Sequence, residues 1–138
     1  MKKSILSLVV LAFLTFGFSQ EKGISITVTV DNLTSDEGKA SFSLHTADTF
    51  MKGPGLMNAS SEIKDGKAVV VFSNVQPGEY AIIGMHDANE NGKMDFRENG
   101  MPLENYGTSN NTMAFGPPQY DEAKFKVKDK DLELNLRF

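Results

Sequence analysis

The chain is 138 residues long, has no cysteine, and carries 18 acidic against 14 basic side chains, a net charge of −4. That length suits one domain. The charge argues against nucleic acid or an anionic membrane surface as partner, since both select basic patches, and the missing cysteines exclude disulfides and a cysteine-based lipid anchor.

Lys2 and Lys3 precede an uncharged, mostly apolar run from Ile5 to Phe18, and Gly17 and Ser19 put small residues at the −3 and −1 positions of a cut before Gln20. This pattern predicts a removable signal peptide over residues 1–19. The run is shorter than the roughly twenty apolar residues of a membrane-spanning helix, which disfavours an uncleaved anchor and membrane insertion after processing. The expected destination is the periplasm, the cell surface or the medium. Removing residues 1–19 leaves 119 residues, and the loss of two lysines moves the net charge to −6. Without disulfides, an exported domain of this size is held by its core, or by its core and a metal.

Residues 20–138 are expected to form that domain. In Gly23–Asp31, Ile24, Ile26, Val28 and Val30 alternate with Ser25, Thr27 and Thr29, the period of two that marks a strand with one wet face. Gly38–Thr46 repeats the pattern with Ala40, Phe42 and Leu44 inward. A short strand is expected near Ser60–Lys64. Lys67–Asn74 is a more continuous apolar run, as in a central strand, and Glu79–His86 follows the turn signal Pro77-Gly78. Ala123–Lys128 and Asp131–Phe138 alternate again, the latter with Leu132, Leu134, Leu136 and Phe138 on one face. No stretch after the signal segment has convincing helical periodicity. About seven short strands separated by Gly, Pro, Asn and Asp predict an all-β, antiparallel β-sandwich. Two connections are long, Ala47–Ala59 and Asp87–Tyr120, and the second is long enough to suggest function.

That second connection opens with Asp-Ala-Asn-Glu-Asn-Gly-Lys-Met-Asp-Phe-Arg-Glu, residues 87 to 98. Against the twelve-residue calcium loop, Asp87, Asn89 and Asn91 fill positions 1, 3 and 5. Gly92 fills the sharp turn at 6, Lys93 lends its carbonyl at 7, Asp95 sits at 9 and Glu98 at 12. Calcium is a hard cation that takes six to eight oxygens, and alternate residues of a tight loop can aim oxygens at one point. The loop follows a strand and precedes Asn99-Gly100-Met101-Pro102, so it lacks the flanking helices of an EF-hand. With three formal charges, Asp87, Asp95 and Glu98, the expected affinity is weak, about 10⁻⁴ to 10⁻³ M. The competing reading is a metal-free turn in which Asp and Asn side chains bond their own backbone. Magnesium fits less well, because it resists dehydration.

Three stretches together resemble the signature of DUF family 2141: Gln76–Ala81 (QPGEYA), His86–Asp95 (HDANENGKMD) and Gly100–Asn111 (GMPLENYGTSNN). The resemblance implies a bacterial source and an immunoglobulin-like or prealbumin-like sandwich, and it implies no activity. Its pattern includes Glu104 and not Glu98, so it offers Glu104 as another carboxylate for the same ion.

Other candidates are thinner. His45 and His86 sit at strand ends, and no nucleophile stands at a spacing that would make either a general base. Six methionines follow the signal segment; with histidine they could bind copper(I), although no Met-x-x-Met cluster is present and core filling is the simpler role. Glu98 and Glu104 as a glycosidase pair, and three Asn-x-Ser/Thr matches at Asn32, Asn58 and Asn110, carry little weight alone. The sequence therefore leads to an exported, non-enzymatic binding or structural module with a calcium loop and an unknown ligand or cell-surface partner. The alternatives are a hydrolase-like enzyme with its site in residues 86–111, using His86, Asp87 or Glu104 as acid or base, and a copper-binding protein. A concave pocket joining Glu104, Tyr106 and Asn110 around a perturbed acid would favour the enzyme.

Overall fold

The alternating segments are strands in the computed structural model, which describes residues 23–112 and 115–138. The expected signal peptide lies outside the described residues. β1 (Ile24–Val30), β2 (Lys39–His45), β3 (Met57–Glu62), β4 (Ala68–Val75), β5 (Gly78–Asp87), β6 (Tyr106–Thr108), β7 (Phe125–Val127) and β8 (Leu132–Leu136) are joined by turns, a 3-10 turn at Ser109–Asn111 and the one-turn helix α1 (Tyr120–Ala123). With 46% strand and 6% helix, the described residues form an all-β fold.

The strands form two open sheets, β4-β1-β8 and β3-β2-β5-β6, and β7 pairs with the start of β5. Between them the inward residues of β1, β2 and β5 meet. Ile26, Val28, Val30, Leu44 and Ile82 have no exposed surface, and Phe42 and Phe72 retain 1% each. Burying each such side chain contributes about 1.5–3 kcal/mol. This is the expected sandwich, with four differences.

The structure has eight strands among the described residues, not seven, because Tyr106–Thr108 pairs with Ile83–Met85. The sandwich is not wholly antiparallel: β8 runs parallel to β1, with Ile26 beside Leu132 and Val30 beside Leu136. β4 is an edge strand, not a central one. Its continuous apolar run leaves Val69 and Val71 half exposed on the outer face while Ala68, Val70 and Phe72 face the core. The Asp87–Tyr120 connection is also less irregular than expected, since it contains β6 and the 3-10 turn.

A second, smaller cluster lies on the outer face of the five-stranded sheet. Phe50 from the β2–β3 connection covers Ala81 together with Ala123 of α1, flanked by Ile83 and Tyr120. The rings of His45, Phe50 and Tyr120 meet edge to face at 5.8 and 5.7 Å. At the opposite end of that sheet, Gly38 (φ +70°) sits so close to β5 that a Cβ would lie 2.1 Å from the Asp87 carbonyl oxygen. The β1–β2 connection is thereby held beneath the loop that leaves β5.

Candidate functional site

β5 ends inside the protein. His86 and Asp87 are 6% and 3% exposed. The His86 Nε2 donates to the Glu37 carbonyl at 2.7 Å, and its backbone N–H donates to the Asn105 carbonyl at 2.9 Å. This residue braces both the chain that enters β2 and the chain that leads to β6.

Asp87 begins the loop. One carboxylate oxygen accepts the Asn91 N–H at 3.2 Å and the other the Gly92 N–H at 2.8 Å. Gly92 has φ +77°, a left-handed conformation that glycine adopts without a Cβ penalty. The Asn89 Oδ1 accepts the Asn91 N–H at 3.3 Å and the Asn91 Oδ1 accepts the Lys93 N–H at 3.1 Å, two successive Asx turns. Both asparagine amides donate to Asp95, Asn89 at 2.7 Å and Asn91 at 2.8 and 2.9 Å. The buried Asp87 is thus satisfied by backbone donors without an ion.

After Asp95 the chain makes a small hairpin. The Leu103 N–H donates to the Asp95 carbonyl at 2.8 Å, Phe96 bridges Pro102, and the Arg97 N–H donates to the Met101 carbonyl at 2.8 Å. Glu98 lies at the far end, exposed. The returning strand brings Glu104 back to the turn, where its Oε2 accepts the Asp95 N–H at 3.3 Å. The structure therefore gathers Asp87, Asn89, Asn91, Lys93 and Asp95 in one turn, carries Glu98 outward and adds Glu104. The Asn99-Gly100 dipeptide, which in the sequence marks only the absence of a flanking helix, is also a hairpin signal and fits this return.

Three ion pairs are present among the described residues: Lys39–Glu90, Lys124–Glu79 and Lys124–Asp121. None involves Asp87, Asp95, Glu98 or Glu104. Three carboxylates thus belong to one turn without a cationic side chain to offset them. Among the described residues no three His, Cys, Asp or Glu side chains gather as a ligand set by themselves, so any cation here would also draw on the asparagine and backbone oxygens.

The remaining polar signature is spent on scaffolding. The Ser109 hydroxyl donates to the Ala123 carbonyl and accepts the Ile82 N–H at 2.9 Å. The Asn110 amide donates to the Glu122 and Lys124 carbonyls, both at 3.0 Å. Asn111 donates to the Asn135 carbonyl and accepts the Arg137 N–H, each at 2.8 Å. Asn110 and Asn111 do this at φ +66° and +50°, a conformation asparagine tolerates better than most residues. Tyr106 lines a cavity of about 810 Å³ near Arg137 and Phe138, but Glu104 and Asn110 do not line it. A second cavity, about 490 Å³, lies on the outer face of the five-stranded sheet between Met51 and Gly92. His45 and Met85 both border it, yet Met85 pairs with Ser41, four residues from His45 along β2. The strand rise separates them by about 13 Å along the sheet, several times a metal–ligand bond length. They do not converge on one copper ion.

A family model described as "Uncharacterized protein conserved in bacteria (DUF2141)" matches residues 28–135. The chain belongs to the DUF2141 family. The matched span runs from within β1 to within β8, and the Asp87–Glu104 turn falls inside these bounds. No curated protein and no solved structure matches this DUF2141 chain.

Proposed function

We propose that this DUF2141 protein is an exported, non-enzymatic binding or structural module in which calcium organises the turn from Asp87 to Glu104. The observation that carries the calcium reading is that Asp87, Asp95 and Glu104 belong to one turn, with no Lys or Arg partner among the described residues, next to two asparagine side chains. A carbonyl or carboxylate oxygen has more than one lone pair, so the oxygens that hold the Asx turns can also face an ion. A cation between them relieves the mutual repulsion of the carboxylates, with Glu104 in the place the twelve-residue template gives to Glu98. The hydrolase alternative has less support: His86 is buried and its Nε2 is committed to a carbonyl.

Ligands that bind only the folded state stabilise it by RT ln(1 + [L]/Kd). At a Kd of about 10⁻⁴ M, 1 mM calcium adds about 1.4 kcal/mol and raises Tm by several degrees. The reading is tested by the difference between melting curves in calcium and in EDTA. Asp87→Asn and Glu104→Gln should each shrink that difference, whereas Glu98→Gln and Lys93→Ala should leave it nearly intact. Coincident curves for the unmodified protein would leave only a self-sufficient Asx turn.

Export rests on the lysine pair, short apolar run and Gly17-Phe18-Ser19 site. Mass spectrometry of protein recovered from the periplasm or medium is expected to give a chain starting within two residues of Gln20. Intact Met1 on that material would refute processing.

A further inference from the structure

The outer face of the five-stranded sheet forms a groove whose floor is divided by chemistry. Ser60, Ser41 and Met85 lie side by side across β3, β2 and β5, and Asn58, Ser43 and Ile83 form the next row. One half of the floor is therefore hydroxyl and amide, and the other half is aliphatic and thioether. Adjacent strands set the columns about 4.8 Å apart, and alternate residues set the rows about 6.7 Å apart. Met51 stands at one end and Gly92 at the other.

The floor holds polar groups that the fold itself does not use. The Ser43 hydroxyl donates to the Asn58 Oδ1 at 2.7 Å, which leaves the Asn58 amide hydrogens free. The hydroxyls of Ser41 and Ser60 make no hydrogen bond among the described residues. His45 Nδ1 is engaged by Thr49 at 3.1 Å, while its Nε2 has no such partner among the described residues and is not sealed from solvent. Burial pulls the His45 pKa below its ordinary value, against the opposing effect of its bond to Thr49, so the imidazole stays neutral near pH 7. Among the described residues, no Asp, Glu, Lys or Arg lines the groove, although 23% of the chain is charged.

From this we infer that the groove is a binding site for a short stretch of neutral oligosaccharide. An uncharged lining gives no purchase to phosphates, nucleotides or acidic polymers, whose recognition needs compensating charge. A purely apolar ligand would bury the serine and asparagine groups without partners, at a cost for each. A sugar chain offers what both halves of the floor require: hydroxyls that donate and accept along one edge, and C–H faces for Met85, Ile83 and Met51. An extended peptide is matched less well, because the floor is a sheet face whose backbone bonds are already used. The volume is within the usual range of ligand clefts. The site does not rest on the calcium reading, since its floor belongs to three strands and only the Gly92 wall belongs to the turn.

The test uses the processed protein, ¹⁵N-labelled, with the neutral hexasaccharides of cellulose, mannan, amylose and chitin, with hexagalacturonate as the anionic probe and a glycine–serine decapeptide as the peptide probe. Titrations run in calcium and again in EDTA. At least one neutral hexasaccharide should move the amide resonances of Ser41, Ser43, Asn58, Ser60 and Met85 in both buffers. Asn58→Ala and Ser60→Ala, both at exposed positions, should weaken that binding about three- to tenfold, the worth of one neutral hydrogen bond, and Ser60→Ala should do so with unchanged Tm. Lys67→Ala should not weaken it. No response to any neutral sugar, shifts that map away from these strands, or equal binding of hexagalacturonate or the peptide would each overturn the assignment. Binding lost only in EDTA would move the recognition surface from the strands to the turn and would equally refute it.

Discussion

Replacing Leu136 with alanine is expected to cost about 2–5 kcal/mol of folding stability, the range for a fully buried leucine. Leu136 has no exposed surface, lies beside Val30 across the parallel β1–β8 ladder, and belongs to the main core. Leu134, two residues earlier on the same face, is only partly buried against that core, so Leu134→Ala should cost less. Asn135 points outward, and Asn135→Ala should stay within about 0.5 kcal/mol. Urea denaturation of the three variants provides the check. Equal losses at Leu136 and Asn135 would mean that the register of β8 is wrong by one residue.

The second large effect is expected at Ser109, a polar side chain only 1% exposed. Its hydroxyl is the shared partner of the Ile82 N–H in β5 and the Ala123 carbonyl at the end of α1. Ser109→Ala removes both bonds and leaves two buried backbone groups without partners, at about 1–3 kcal/mol each before relaxation. A net loss of about 2–4 kcal/mol is expected, with faster amide exchange at Ile82. Thr112→Ala, at an exposed position nearby, should be nearly neutral. A loss below about 0.5 kcal/mol at Ser109 would show that water replaces the hydroxyl.

These two residues also show how much the sequence disclosed. β1, β2 and β8 were legible because one face of each is in the core and the other in water, which enforces strict alternation. β3 was misplaced by about three residues because the inward positions Met57, Ala59 and Ser61 decline in hydrophobicity along an edge. β4 misled for the opposite reason, since Val69 and Val71 favour the strand conformation while lying outside the core. β6 went unseen because three residues, one of them glycine, carry no periodicity. The parallel β1–β8 pairing left no local trace, since it depends on which sheet the last strand joins. In the candidate site, the positions from Asp87 to Asp95 were readable from the turn chemistry. The return of Glu104 to this turn was pointed to only by the family resemblance, because the outward placement of Glu98 depends on the intervening hairpin. The groove floor was hidden in plain alternation: Ser41, Ser43, Asn58 and Ser60 looked like an ordinary wet face, and only the sheet order sets them side by side.

The β1–β8 ladder has a kinetic consequence. β1 pairs on one side with β4, about forty residues downstream, and on the other with β8, more than a hundred residues downstream. Asn32 then clasps the backbone of Phe138 through two bonds, at 2.7 and 3.2 Å. Closing so long a loop before any contact rewards it places this topology among slow, non-local folders. Until β8 docks, β1 is an open edge of alternating isoleucine and valine, the kind of template that recruits strands from other chains. β8 therefore acts as a molecular chock as well as a strand: it fills the position beside β1 that a neighbouring copy would otherwise occupy.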